Sequence, residues 1–270
     1  MSASTTGPPA SDFEVDATAE DVAFFRANGY LGIERITTDE ELAWLGELYD
    51  EVFAERRGGF RGGYFDLSRP YDAAGEDLLP QVLFPERRNP ELTRTTYVRN
   101  ARRIAAALLG VEEARLQHWG HMILKPPRRG HETPWHQDEA YWEPDVSYTA
   151  VGAWMPLDEA SVESGCLHFV PGSHLREVLP HRHIGDDPAV HGLVTDDAEP
   201  SEGVAVPLPA GGASFHHPRT LHYAGPNLTH HPRRAFANEF QLPPVMRDVP
   251  IDKPWVDEGK KAWEARQVWS

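Results

Sequence analysis

The second half of this chain contains short apolar segments separated by Pro, Gly, Asn and Asp, and this pattern constrains the fold more than any other feature. Apolar segments of this length, bounded by turn residues, predict β-strands. The predicted strands are residues 116–124, 149–155, 166–170, 204–208, 213–216 and 235–242. Many short strands that follow a helical region predict an all-β core, either a sandwich or a barrel, with flanking helices (α+β).

The first half of the chain has helical patterns with start and stop signals. Thr18 and Asp21 predict the start of a helix that ends at Asn28-Gly29, and Thr37 or Thr38 caps a second helix. A strand is expected at residues 30–33, and a third helix within residues 90–109. We expect residues 1–17 to form a disordered tail and residues 18–270 to form a single domain.

Composition excludes several classes of function. The net charge of −16 argues against a nucleic-acid partner, because an acidic surface repels phosphates. The single cysteine, Cys166, excludes an intramolecular disulfide and fits a reducing cytoplasm. No apolar run approaches the roughly 18 residues of a membrane span, and no targeting segment is recognisable. We therefore expect a cytoplasmic protein whose partner is a small molecule, with an oligomeric state that the sequence does not indicate.

The main chemical motif is His136-Gln137-Asp138, with His222 far downstream. In an extended segment, positions i and i+2 point to the same side, so His136 and Asp138 can bind one metal ion. A histidine from a neighbouring strand would complete a facial two-histidine, one-carboxylate triad, which leaves the opposite positions of the metal open. The His-x-Asp motif alone is weak evidence in a chain with 14 histidines.

A second motif is Arg233, eleven residues after His222. A strand, a turn and a return strand would bring this arginine back toward the metal site. A buried guanidinium requires an anion, and its planar shape matches a carboxylate in a bidentate manner. The alternative is a surface arginine beside Arg234.

Several blocks, in this order, resemble the phytanoyl-CoA dioxygenase family of iron(II)- and 2-oxoglutarate-dependent oxygenases over approximately residues 20–245. The matching blocks are Lys125-Pro126-Pro127, His136-Gln137-Asp138, Ala153-Trp154, Ser164-Gly165-Cys166-Leu167, Pro171-Gly172-Ser173-His174, Gly211-Gly212 with Phe215-His216, and His222 through Asn227 and Thr229 to Arg233. The resemblance implies a double-stranded β-helix, which is a jelly-roll, cupin-like barrel with helices packed outside. It also implies iron(II) as the metal, 2-oxoglutarate as the cosubstrate and O₂ as the oxidant.

The resemblance also implies roles for individual residues. His136, Asp138 and His222 would be the iron ligands, and Arg233 would bind the distal carboxylate of 2-oxoglutarate. Further cosubstrate contacts would come from Trp154, His121 and Gln81. Ala224 departs from the family, which often has a serine there, so Thr133, Tyr223 or water would replace that serine.

The expected reaction is hydroxylation of a small organic molecule, as a tailoring step in specialised-metabolite biosynthesis. Cyclisation, desaturation and epimerisation are alternatives within the class. Asp138 predicts oxygenation and not halogenation, because related halogenases lack a carboxylate at that position. Two other classes stay open: a zinc-dependent hydrolase or isomerase with the same ligands, and a non-catalytic jelly-roll binding protein.

Other features receive plainer interpretations. We expect the remaining histidines, including His216, to be packed in the core or solvated. His174 could cap a turn near the cosubstrate. The loops at residues 58–84 and 175–201 match the family least and are expected to determine specificity. We interpret Arg56, Arg57 and Arg61 as part of a solvated loop and not as a clamp for the phosphates of coenzyme A.

Overall fold

The computed structural model describes residues 7–55, 63–70 and 73–267, so Arg56, Arg57 and Arg61 lie outside the described residues. The α-helices of this part of the chain are α1 (Ala19–Asn28), α2 (Asp39–Ala54), α3 (Thr96–Leu109) and α4 (Pro254–Gln267). Short 3₁₀ turns occur at Pro85–Arg87, Pro90–Arg94, Glu113–Arg115, Asp138–Tyr141, Ser173–Leu175, Ile184–Asp186 and Pro200–Glu202.

The β-strands are short and numerous, as the sequence predicts. They are β1 (Tyr30–Ile33), β2 (Tyr64–Asp66), β3 (Pro80–Leu83), β4 (Gln117–Lys125), β5 (Thr133–His136), β6 (Val146–Ser147), β7 (Ala150–Pro156), β8 (Leu167–Phe169), β9 (Arg182–His183), β10 (Leu193–Val194), β11 (Val204–Val206), β12 (Ala213–His216), β13 (His222–Ala224), β14 (Arg233–Gln241) and β15 (Val245–Met246). The six strands expected in the second half and the strand at 30–33 are all present, with ends displaced by two residues at most.

Two antiparallel sheets form the core. The larger has the strand order β1-β12-β7-β14-β4-β3-β2, and the smaller has the order β11-β8-β13-β5. Side chains from both sheets line one cavity, so the cavity lies between them. This arrangement confirms the predicted jelly-roll fold with flanking helices.

Helices α1, α2 and α3 pack against the larger sheet, and their buried apolar residues share one core cluster with it. Helix α3 buries Tyr97, Ala101 and Ile104, and the Tyr97 hydroxyl donates to the Ala153 carbonyl of β7 at 2.9 Å. The start of α3 is capped from α2, since the buried Glu41 carboxylate accepts from the N–H groups of Thr96 and Tyr97 at 2.6 and 2.9 Å. The predicted helix signals are also confirmed, with a capping box at Thr18 and left-handed glycines after α1 and α3.

Both ends of the described chain contact the body of the protein. Near the start, Arg99 of α3 donates to the Ser11 carbonyl at 2.8 Å, and Val15 packs against the main apolar core. Part of the segment expected to be a tail therefore lies against α3. At the other end, the Trp255 indole of α4 is 5% exposed and donates to the Ala140 carbonyl at 2.9 Å.

Helix α4 was not predicted from the sequence. None of the helices in the described residues is both long and apolar enough to cross a membrane.

Candidate metal centre

The two predicted histidine ligands face each other on neighbouring strands. His136 on β5 pairs in register with His222 on β13, and the ring centroids are 4.1 Å apart. The Nδ1–H of His136 donates to the Pro134 carbonyl at 2.7 Å, and the Nδ1–H of His222 donates to the Thr220 carbonyl at 2.9 Å. Because a carbonyl only accepts, these bonds place a proton on Nδ1 of each ring and direct the Nε2 atoms toward the metal position. Burial lowers the pKa of His222 to about 3, which keeps this ring neutral.

Asp138 completes the cluster from a 3₁₀ turn and not from a strand. The expectation that His136 and Asp138 share one extended segment therefore needs a correction, since β5 ends at His136. Gln137 between them is still extended, with φ −120° and ψ 133°, and this turns the Asp138 carboxylate back to the histidines. Its Oδ1 lies 3.6 Å from the Nε2 atoms of both His136 and His222. The three ligand atoms all lie within 4.8 Å of one another, which is compatible with a single metal ion.

His216 is a site residue that the sequence reasoning missed. It lies on β12 and its Nε2–H donates to Asp138 Oδ2 at 2.8 Å, which orients the carboxylate so that Oδ1 faces the histidines. Burial would raise the pKa of Asp138, but His222, His136 and His216 hold it well below its ordinary value. The only signal in the sequence was the Phe215-His216 block, and His216 is 78 residues from Asp138.

The backbone around Asp138 is fixed by buried polar groups. The Gln137 amide donates to the Arg219 carbonyl at 2.7 Å, and its oxygen accepts from the Leu179 N–H at 2.7 Å. The Glu139 carboxylate is 1% exposed and pairs with Arg219 at 2.9 Å and Arg247 at 3.1 Å. These contacts come from distant parts of the chain and hold the carboxylate ligand in place before a metal binds.

Arg233, the predicted anion-binding residue, lies in the same cavity and is 1% exposed. Its Nε and Nη1 atoms have no hydrogen-bond partner among the described residues. Burial lowers the pKa of Arg233 to about 10, so the guanidinium keeps its charge at neutral pH. The Trp154 ring lies 5.2 Å from the guanidinium carbon. A buried cation with free donors fits a carboxylate ligand, because an unpaired buried charge is otherwise costly.

The residues considered as replacements for the expected serine at Ala224 differ in whether they line the cavity. Thr133 lines the cavity together with Ala224, whereas the Tyr223 hydroxyl donates to Glu132 at 2.8 Å and stays outside the cavity lining of the described residues. The buried Lys125 ammonium donates to the Ala224 carbonyl at 2.9 Å, which fixes this strand without entering the cavity.

His121 and Gln81 form a hydrogen-bonded pair in the cavity wall. His121 lies on β4 and Gln81 on the neighbouring β3, and the His121 Nε2–H donates to Gln81 Oε1 at 2.6 Å. Burial lowers the pKa of His121 to about 4, so the ring is neutral. Both residues line the cavity that contains the metal triad, as does Trp154. His174, by contrast, lies against the Arg26 carbonyl and does not line this cavity.

The cavity has a volume of about 290 Å³. The metal triad and Arg233 line it together with apolar and aromatic side chains. Both loops that were expected to determine specificity contribute to it, the first with Phe65, Leu67, Gln81 and Leu83 and the second with His191. A largely apolar cavity with a few converging polar groups is typical of a small-molecule site.

A jelly-roll fold with two histidines and one carboxylate at one point, and an unpaired arginine in the same cavity, defines the class of iron(II)- and 2-oxoglutarate-dependent oxygenases. The profile of the family "Phytanoyl-CoA dioxygenase (PhyH)" matches residues 25–235. The chain belongs to this family, and the predicted resemblance is confirmed.

Known structures and proteins agree with this assignment. The chain is similar to EvdO2 from Micromonospora carbonacea var. aurantiaca complexed with 2-oxoglutarate, with 43% identity, a TM-score of 0.79, and coverage of 91% of this chain and 100% of EvdO2. It is also similar to the epimerase SnoN in complex with Fe3+, alpha ketoglutarate and nogalamycin RO, with 25% identity, a TM-score of 0.65, and coverage of 84% and 85%. A probable alpha-ketoglutarate-dependent hypophosphite dioxygenase from Stutzerimonas stutzeri is 35% identical over 114 residues, which span 41% of this chain and 39% of that relative.

Proposed function

We propose that this protein oxidises a C–H bond of a small organic molecule, with iron(II) bound by His136, Asp138 and His222 and with 2-oxoglutarate bound through Arg233. The observation that supports this most directly is the unpaired, buried guanidinium in the cavity of the metal triad. A metal site of this kind occurs in several classes of enzyme. The buried Arg233 guanidinium beside it is complementary to a cosubstrate that carries a second carboxylate.

The chain's own residues prepare this chemistry by binding and by excluding water. His136, Asp138 and His222 would hold iron(II), and the bound ion would supply the oxidising power for C–H bonds. Arg233 orients the cosubstrate by its distal carboxylate, and His216 keeps Asp138 aligned through its hydrogen bond. The apolar cavity walls limit the access of water to the reacting atoms.

The remaining cosubstrate contacts are assigned from position in the cavity. Trp154 lies against the Arg233 guanidinium and would pack beside the carbon chain of 2-oxoglutarate. The neutral His121–Gln81 pair offers polar atoms on strands β4 and β3 of the sheet that also carries Arg233, and Thr133 beside Ala224 is the hydroxyl that stands in for the missing serine.

The reaction belongs to a tailoring step in the biosynthesis of a specialised metabolite. This part of the proposal draws on SnoN, an epimerase whose described complex contains nogalamycin RO, and on the likeness to EvdO2. Hydroxylation is the simplest outcome, and epimerisation and cyclisation use the same first step, the removal of a hydrogen atom from carbon. A cytoplasmic location and the absence of a nucleic-acid partner stay predictions from the sequence.

An anaerobic titration tests the proposal. Iron(II) and then 2-oxoglutarate are added to the metal-free protein, and the weak visible charge-transfer band of the 2-oxo acid chelate is followed. We expect the band in the wild type, no band in Asp138→Ala, and a band in Arg233→Ala only at about 100-fold higher 2-oxoglutarate. Arg234→Ala is the matched control, because Arg234 is the neighbouring arginine but pairs with Asp158 at 2.8 Å outside the cavity.

The same titration separates the alternatives. A protein that forms no band and binds zinc tightly would be the hydrolase or isomerase. A jelly-roll binding protein would keep its ligand affinity in Asp138→Ala. Equal 2-oxoglutarate requirements in Arg233→Ala and Arg234→Ala would contradict the assignment of Arg233.

A further inference from the structure

The larger sheet places a glycine between two polar side chains next to the metal centre. Gly152 on β7 is in register with His216 on β12 and, on its other side, with Glu239 on β14. A methyl group at Gly152 would lie 2.9 Å from His216 Nε2 and 3.3 Å from Glu239 Oε2. A methyl group there would be too close to both side chains, so the glycine allows His216 and Glu239 to lie side by side, and all three residues line the cavity.

Glu239 has no role in the metal or cosubstrate site. It lies on the same strand as Arg233, six residues further along, which is about 20 Å at strand spacing. A five-carbon cosubstrate bound at Arg233 cannot extend that far. Glu239 is 7% exposed, and its Oε1 is buried without a hydrogen-bond partner among the described residues. A buried carboxyl group with unused hydrogen-bonding capacity indicates a ligand group that binds there.

The chemistry of the surrounding wall indicates the class of that ligand. Trp119, Tyr141 and Trp142 line the same cavity, and flat aromatic faces pack well against the C–H faces of saturated rings. Burial, together with the charge of Asp138, raises the pKa of Glu239 well above its ordinary value. A neutral carboxylic acid both donates and accepts a hydrogen bond, which matches a hydroxyl group and does not match an ammonium group.

We propose that Glu239, beside Gly152, is the polar end of a substrate subsite in this cavity, and that the subsite binds a hydroxyl-bearing saturated ring, that is, a sugar or cyclic polyol. His216 links this subsite to the metal centre, since it lies beside Gly152 and also donates to Asp138. A ring bound there presents its C–H bonds to the metal. This inference rests on the proposed function and adds the substrate class to it.

A matched pair of probes tests the subsite on the anaerobic iron(II)–2-oxoglutarate complex. Methyl β-D-glucopyranoside carries ring hydroxyls, and methoxycyclohexane has a similar ring without them. Cyclohexylamine serves as the cationic comparison. Binding is read from the shift of the charge-transfer band as each probe is added. We expect the wild type to prefer the glucoside over both other probes.

Three variants separate hydrogen bonding from shape. Glu239→Leu removes the hydrogen bond and should weaken glucoside binding by about tenfold or more, without weakening methoxycyclohexane. Glu239→Gln retains a donor and an acceptor and should stay within about threefold of the wild type. Gly152→Ala adds a methyl group too close to His216 and Glu239, so it should displace one of them and weaken glucoside binding. Glu163→Leu is the control for the loss of a carboxylate, since Glu163 is exposed and lies outside the cavity.

The inference is overturned if the glucoside produces no shift, if the apolar or cationic probe binds better, or if Glu239→Leu binds the glucoside as the wild type does. Failure of the proposed function looks different, because the wild type would then form no band before any probe is added.

Discussion

Replacing Arg233 by methionine should change the stability of the protein in opposite directions with and without 2-oxoglutarate. The guanidinium is buried, and its Nε and Nη1 lack partners in the described part of the chain. An unsatisfied buried donor of this kind costs about 1–3 kcal/mol. A cation–π contact with the Trp154 ring, 5.2 Å away, offsets about 0.5–1 kcal/mol of this cost. Methionine keeps the length of the side chain without the charge, so the ligand-free variant should be more stable by about 1 kcal/mol.

With the cosubstrate present, the order should reverse. At a ligand concentration of 100 times the dissociation constant, the wild type gains about 2.7 kcal/mol. A variant that binds about 100-fold more weakly gains only about 0.4 kcal/mol at that concentration. The wild type should then be more stable than Arg233→Met by about 1 kcal/mol.

Urea unfolding with manganese(II), with and without 2-oxoglutarate, measures both differences. Manganese(II) serves as a metal that does not support turnover. Arg234→Met is the control, because it breaks the pair with Asp158 at 2.8 Å and should lose stability under both conditions. The reasoning is refuted if Arg233→Met loses as much stability as Arg234→Met without ligand, or if it responds to 2-oxoglutarate as the wild type does.

Three further predictions concern the support of the site and the fold. His216→Phe removes the donor to Asp138 Oδ2 and should weaken metal binding about 10- to 100-fold in a manganese(II) titration. His217→Phe is the control, and equal manganese(II) affinities of the two variants would contradict the role of His216. Glu139→Gln disrupts two buried ion pairs, with Arg219 and Arg247, and should lower the free energy of unfolding by about 3 kcal/mol, as measured by urea unfolding. An unchanged midpoint of the urea transition would show that the pairs contribute no net stability. Gly165→Ala should cost about 2 kcal/mol or more by the same measurement, because φ is +87° and the new methyl group would lie 2.3 Å from the Gly225 carbonyl oxygen. Gly185→Ala, with φ +69° and no atom within 4 Å, should cost only about 1 kcal/mol, and an equal loss in the two variants would exclude the steric clash.

The sequence was sufficient where structure follows from neighbouring residues. Strand and helix positions in the described chain follow from apolar spacing, caps and turn residues, as with Thr18 before α1 and Gly110 after α3. Helix α4 was not predicted, and neither were strands β2, β3, β9 and β10, which lie in segments expected to be loops. Seven of the 14 residues of α4 are polar or charged, and its position depends on the docking of Trp255 and of Lys253 just before it. Propensity does not reveal a helix that is stabilised mainly by tertiary contacts.

The metal motif was readable for the same reason. His136 and Asp138 are two residues apart, and an extended Gln137 is enough to direct both side chains to one point. His222 and Arg233 were found through the family resemblance and through their spacing, and the structure places both in the wall of the same cavity. Family membership follows from these blocks, which the match over residues 25–235 confirms.

By itself, the sequence determined the order of α1, α2, α3 and seven of the strands, because these depend on residue types at short spacing. The candidate ligands and the family followed from the motifs and from the resemblance that they carry. Only the tertiary structure decided that His216 aligns Asp138, that Glu139 is held by two arginines, and that Glu239 lies buried beside Gly152 with no partner for its Oε1 among the described residues. These contacts join strands and loops far apart in the chain. Their existence depends on sheet register and on burial, which place a side chain beside its partner and remove competing water.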